Sequence, residues 1–279
     1  MKNGQGQKYR EAAMGESLRQ RYAGPWAKQG WSGRISPPGT YSSVLKHPSR
    51  RSDEILEVGI VHEHRFAFTF WNQWRTSPPS ALVSIDWHQD LQHPSESEQQ
   101  RLLALDTSDE TEVALFAWTQ LNPLNDGQIL AAAWLGILGD IFVLCKHNKP
   151  EEFEFQTRDG CCSVKICHDP SKFVAAVTKT SAVILDIDLD YFTDSPAHDG
   201  GPPGLTLTPK AEMKALLDPA GQLISGLAPM LKGVTIALEP EFCGGIRNAH
   251  RLFGRLNSLM FGNTLLSEKA RWLEKRAIE

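Results

Sequence analysis

Ser84-Ile85-Asp86-Trp87-His88-Gln89-Asp90 follows the apolar run Ala81-Leu82-Val83. In an extended strand, residues two apart point to the same face. Asp86, His88 and Asp90 therefore project together from a strand's end, two carboxylates with an imidazole between them. Taken alone, the pattern fits a metal-binding edge as well as it fits a strand leaving the core through polar residues.

A second stretch repeats the design. Ser181-Ala182-Val183-Ile184-Leu185 has the apolar, β-branched character of a buried strand. It ends in Asp186-Ile187-Asp188-Leu189-Asp190, three carboxylates on one face. Like charges packed this closely are unfavourable unless a cation or protons compensate. Two parallel strands that each deliver ligands at the C-terminal end build a site at the carboxyl edge of a sheet. The expectation is a metal site made by both.

Around these strands, elements alternate. Ile55–Val61 reads as a strand that runs into His62-Glu63-His64, then into a helix over Arg65–Trp74 with aromatics at helical spacing. A polar loop is expected over His93–Gln100 and a helix over Glu110–Leu121. Another opens at an Asn125-Asp126 cap and spans Gln128–Leu138, stopping at Gly139. Ile141–Leu144 is a strand, and Asp159-Gly160 turns a hairpin between Phe153–Phe155 and Val164–Ile166. A helix around Ser171–Val177 precedes the Asp186 strand. After a Gly/Pro loop, Thr193–Thr208, come a broken helix over Pro209–Leu231 and a strand at Val234–Leu238. Helices over Arg247–Leu259 and Leu265–Arg276 close the chain. This alternation predicts an α/β fold of three layers, αβα, around a mostly parallel central sheet. Residues 1–50, rich in Gly, Gln, Ser and basic side chains, read as an N-terminal extension with a helix near Tyr9–Tyr22; residues 51–279 read as the domain proper.

The bulk composition narrows the function. At 279 residues with 41% hydrophobic side chains, the chain has material for a sizeable core. A net charge of −4, without a basic block, offers no general attraction for nucleic acid or an anionic membrane. The N-terminal residues lack the apolar core of a signal peptide, and no apolar run is long enough to span a bilayer. Five cysteines without framework spacing fit a reducing cytoplasm. Cys161-Cys162 and Cys167-His168 flank a hairpin, so they are read as hairpin residues and not as a zinc cluster.

With these residues in hand, the chain resembles the arginase/ureohydrolase superfamily. Asp86-Trp87-His88-Gln89-Asp90 is similar to its D-A-H-x-D motif, and Leu185-Asp186-Ile187-Asp188 to its S-x-D-x-D motif. His64 precedes Asp86 at about the separation of the family's first histidine ligand. The wording of VHEHRFAFTFW, SIDWHQDL and LDIDLDYF resembles a divergent branch that includes peptide arginases, which turn arginine side chains of ribosomally made precursor peptides into ornithine. The resemblance spans roughly residues 55–245.

It implies a deacetylase-like three-layer fold and two Mn2+ ions. One would be held by His64, Asp86, Asp90 and Asp186, the other by Asp86, His88, Asp186 and Asp188, with Asp86 and Asp186 bridging. Oxygen-rich ligands with one imidazole per metal suit Mn2+ better than zinc. Two metals make water acidic enough to supply hydroxide near neutral pH, which a resonance-stabilised guanidinium requires. Asp90 is placed by analogy to pass a proton to the leaving amine. A late-strand glutamate holds the guanidinium in the family, and here Glu239 and Glu241 both qualify. For the family's proton-shuttle histidine no counterpart is clear, His93 being the nearest. Asp190 shares the ligand face and is either an outer partner or a substitute for a ligand carried elsewhere.

Three rivals remain at this point. A deacetylase-like amidohydrolase shares the fold but carries a His-His pair, which this chain lacks in sequence. A hydrolase for a free small guanidino compound needs groups that grip a charged head, and none is identifiable. A non-catalytic module would use the metals only to staple the sheet.

Overall fold

In a computed structural model, the described residues are 35–49, 54–147, 149–177, 180–194 and 204–273. The helix expected near Tyr9–Tyr22, and His198 and Asp199 of the Gly/Pro loop, lie outside them.

The chain begins with β1 (Tyr41–Lys46) and β2 (Ile55–Val61), followed by a short 3-10 turn, His64–Phe66, and α1 (Ala67–Gln73). Next come β3 (Ser80–Asp86), α2 (Glu96–Leu103), α3 (Glu110–Thr119), α4 (Gln128–Trp134) and β4 (Leu138–Cys145). The hairpin is β5 (Glu151–Gln156) and β6 (Cys161–Cys167), and α5 (Pro170–Val177) leads into β7 (Val183–Asp188). A two-residue pair, β8 (Thr193–Asp194) and β9 (Thr206–Leu207), brackets the Gly/Pro loop. The remainder is α6 (Lys210–Leu217), α7 (Gln222–Leu227), β10 (Leu231–Ala237) and α8 (Ile246–Phe261).

Eight strands form one sheet in the order β1-β2-β10-β7-β3-β4-β6-β5. The inner strands from β2 to β6 run parallel, and β1 and β5 pair antiparallel at the two edges. Helices cover both faces, so the fold is the expected three-layer α/β arrangement. The strand alternation divides the core cleanly. On β7, Val183, Leu185 and Ile187 face one layer with α5, α6, α7 and α8. Ile184 faces the other, with α1, α3 and α4. Asp186 and Asp188 share the Ile184 face by the same pleat.

Two glycines set how closely α1 lies on the sheet. A Cβ on Gly59 of β2 would stand 2.4 Å from the Phe70 ring, and one on Gly233 of β10 would stand 2.1 Å from the Trp74 ring. Both aromatics therefore press directly on bare backbone.

Four expectations need correction. The polar stretch His93–Gln100 is not all loop: α2 starts at Glu96, opened by a Ser95–Glu98 capping box. The strand Tyr41–Lys46 lies within the segment that composition assigned to an extension: it buries the alternate residues Ser43 and Leu45 and pairs with β2 across a register from Tyr41↔Ile60 to Lys46↔Ile55. The helix from Gln128 ends at Trp134, not Leu138: Gly136 adopts φ 73°, and Ile137 N–H closes on Ala132 O, a left-handed helix end. Its N-cap is Gly127, without a side-chain cap. Finally, no helix forms over the described part of Leu265–Arg276. Gly262, Asn263 and Leu266 all have positive φ, and the segment folds back in turns, with Leu273 N–H on Met260 O. Among the described residues, no helix is long and apolar enough to cross a membrane.

Candidate metal centre

Adjacent strands β2, β10, β7 and β3 all end at the same edge of the sheet. The residues just past those ends converge: His64 after β2, Glu239 after β10, Asp188 and Asp190 at β7, and Asp86, His88 and Asp90 at β3. His64, Asp86 and Asp188 form one group able to hold a cation, and Asp86, His88 and Asp190 form a second. Asp86 belongs to both.

The backbone aims these carboxylates. Asp86 Oδ1 accepts from His88 N–H at 2.8 Å, and Asp188 Oδ1 accepts from Asp190 N–H at 2.9 Å. Asp190 Oδ1 accepts from Trp87 N–H at 3.1 Å, tying the two motifs together. Each Oδ1 is thus committed, and each Oδ2 points into the cluster. Asp86 Oδ2 is buried and has no hydrogen-bond partner. A buried carboxylate oxygen in that state is costly unless a cation meets it.

Distances within the cluster suit a cation. His64 Nδ1 lies 2.9 Å from Asp90 Oδ2, 3.2 Å from Asp188 Oδ2 and 3.5 Å from Asp86 Oδ2. His88 Nδ1 lies 3.3 Å from Asp190 Oδ2. Ligand atoms at about 2.1–2.4 Å from a hard octahedral cation are themselves about 3 Å apart. His64 Nε2 donates to Asp186 Oδ2 at 2.8 Å, which leaves the Nδ1 lone pair for a metal.

Asp186 is where the structure departs from the expected ligand set. It lies one pleat deeper, level with Ser84 of β3 and Thr235 of β10. Thr235 Oγ1 donates to its Oδ1 at 2.5 Å, and Ser84 Oγ to its Oδ2 at 2.8 Å. With His64 on Oδ2 as well, three of the roughly four lone-pair sites of Asp186 are taken. It orients the histidine, and the β7 residues in the two groups able to hold a cation are Asp188 and Asp190.

The clustered, buried carboxylates raise one another's proton affinity. Burial raises Asp86 well above the ordinary carboxylate range, and the charges of Asp90, Asp190 and Asp188 push it further. Burial and the Asp190 charge do the same to Asp188. For His64, burial works downward, but the Asp186 charge and hydrogen bonds to Asp186, Asp188 and Asp90 raise it well above its usual value.

A cavity of about 320 Å3 opens over the centre, lined by Asp86, His88, Asp90, Asn125, Glu239 and Phe242 among others. Glu239 and Glu241, equivalent by sequence, separate here. Glu239 adopts φ 37° and turns inward, 3% exposed, while Glu241 is exposed. Glu239 Oε1 accepts from the His64 backbone N–H and from Asn125 Nδ2. Burial pushes its pKa to about 8. His93 does not reach the cavity: it is exposed and packs on Phe155 and Phe153, centroids 5.2 and 6.5 Å away. His147, just past β4, was passed over in the sequence because no motif surrounds it. Its ring lies 5.6 Å from that of His88. Gln128 was missed for a similar reason; its Nε2 donates to Asp90 Oδ2 at 2.8 Å.

The fold and centre together define an α/β protein with an acidic, histidine-containing cluster, able to hold a cation, at the carboxyl edge of its sheet. No family model matches the chain, and no curated protein matches it.

Proposed function

We propose that this protein is a binuclear manganese hydrolase of the ureohydrolase type, converting peptidyl arginine of a ribosomally made precursor peptide into ornithine and urea. The observation that carries the reading is the position of Glu239. It is a buried carboxylate in the wall of the same cavity as the metal cluster, and among the described residues that wall contains no lysine or arginine. Such a wall favours a cationic group and offers no cationic side chain to a free α-carboxylate. A guanidinium on a peptide-embedded side chain meets both conditions, whereas free arginine meets only the first.

In this reading His64, Asp86, Asp90 and Asp188 hold one cation, and Asp86, His88 and Asp190 hold the other. When bound, the metal pair supplies acidified water as the nucleophile near neutral pH. Glu239 pairs with the guanidinium and fixes it over the cluster. Asp90, at the cavity wall, delivers a proton to the departing amine, and His147 beside His88 is the candidate proton carrier in place of His93. Exposed Leu124 and half-buried Phe242, also in the lining, supply apolar contact for an aliphatic stem.

Urea release tests this directly, measured from an arginine-containing peptide and from free arginine, with and without added Mn2+. Metal-dependent urea from the peptide, with little from free arginine, is the expected result. Equal turnover of free arginine would make the protein a small-molecule ureohydrolase. No urea from either, despite bound metal, would sink the hydrolase reading.

A further inference from the structure

Two amide side chains, one on the connection between α3 and α4 and one at the first residue of α4, share an unusual arrangement. Asn125 carries a left-handed backbone, φ 58°, and its Nδ2 donates to both oxygens of Glu239, at 3.0 and 3.4 Å. Three residues on, the buried Gln128 donates from Nε2 to Asp90 Oδ2 at 2.8 Å. In both, the amide carbonyl oxygen is closed off from solvent and accepts no hydrogen bond. Buried carbonyl oxygens without a partner are rare in folded proteins, and each calls for a reason. Here the same cost occurs twice within four residues, each time as the reverse side of an N–H aimed at a cavity carboxylate. The connection itself is braced by two further bonds. Asn122 Nδ2 donates to Asp126 Oδ1 at 2.6 Å, and Gln92 N–H donates to Asp126 O at 2.7 Å.

We propose that Asn125 and Gln128 form an amide clamp that positions two carboxylates with different roles. Gln128 sets Asp90 for the metal, and Asn125 sets Glu239 for the cationic substrate. The amide is suited to this because it is a neutral donor. A lysine or arginine in either place would cancel the negative charge that metal and guanidinium need, and would compete with them for the same oxygens. An amide fixes one lone pair of the carboxylate and leaves its charge in place. The orphaned carbonyl oxygens follow from this, since turning either amide over would set oxygen against oxygen.

The inference rests on the metal and guanidinium reading above, and two substitutions in the full chain test it. Gln128→Met keeps length and removes both the donor and the orphaned acceptor. Asn125→Gly accepts the left-handed backbone and removes only the amide. Gln128→Met is expected to weaken Mn2+ binding about 10–100-fold by calorimetry, with the melting temperature of the metal-free protein not lowered. Asn125→Gly is expected to leave Mn2+ affinity near wild type while raising KM for an arginine peptide about tenfold or more. Gln128→Met that melts lower yet binds Mn2+ as wild type would make Gln128 a packing residue and overturn the clamp. So would Asn125→Gly with an unchanged KM. If the wild type binds Mn2+ but releases no urea, the hydrolase reading fails alone. The clamp is then judged by Gln128→Met metal affinity and by calorimetric binding of a capped arginine amide to Asn125→Gly. A wild type that takes up no Mn2+ overturns both.

Discussion

Asp186 and Asp188 differ by one pleat of β7, and substitution separates their roles. Asp188→Asn removes an oxygen facing the cluster and is expected to abolish tight Mn2+ uptake. Asp186→Asn acts only through the orientation of His64 and is expected to weaken uptake about 10–100-fold. Metal content after gel filtration, with calorimetry for the weaker case, checks both; the reverse ranking would restore Asp186 as a ligand. Glu239→Gln is expected to stop urea release or raise KM at least tenfold, and Glu241→Gln to leave both unchanged, in a steady-state assay. Thiol chemistry offers an independent check on burial. Cys161 is exposed, whereas burial pushes Cys162 up to about 11 and raises Cys243 far above the usual thiol range. Brief alkylation of native protein at pH 8, read by mass spectrometry, is expected to label Cys161 well ahead of those two. At this scale the sequence showed which residues gather, because apolar runs ending in alternate polar residues are local patterns. It did not show which aspartates of β7 reach the cluster and which is held by neighbouring hydroxyls, since that depends on how β3 and β10 align beside it. Nor could it separate Glu239 from Glu241, since the two-residue period of a strand stops applying where Glu239 turns to φ 37°.

Among the elements, α1 links the core to the metal centre. Trp71 Nε1 donates to Thr235 Oγ1 at 3.2 Å, Thr235 donates to Asp186, and Asp186 holds His64. The helix can sit low enough for this because Gly59 and Gly233 leave room for Phe70 and Trp74. Gly233→Ala is expected to destabilise the fold by about 1–3 kcal/mol, the usual cost of overpacking, and to weaken Mn2+ binding as His64 shifts. Denaturant melts and metal titration on the same variant measure the two effects. An alanine variant as stable as wild type would mean that α1 has slack. Most elements were legible from period and turn signals. α2 was missed because its exposed face is polar, whereas an over-long α4 and a final helix that does not form both come from left-handed residues, Gly136 in one case and Gly262, Asn263 and Leu266 in the other. Apolar spacing alone does not reveal where such residues stop a helix.

For the whole molecule, the centre is a concentration of buried negative charge, and a cation that binds only the folded chain must stabilise it. At a free Mn2+ concentration 100 times Kd, linkage gives about 2.7 kcal/mol, which raises the melting temperature of a domain this size by about 5–10 °C. Scanning fluorimetry with Mn2+ and with EDTA checks this, and no shift between the two would argue against a metal centre. The sheet's outline was legible in the alternating elements, but β1 was not, since its composition blends into the polar residues before it.

The centre draws on the ends of β2, β3, β7 and β10, and its outermost members, His64 and Glu239, stand 175 residues apart. No contiguous piece of the chain shorter than that contains them all. The site therefore comes into being only after the slow, long-range strand pairings are complete. Under the proposed function, uptake of a cation would then report that assembly has finished, and a copy that stalls beforehand would open more readily to proteases.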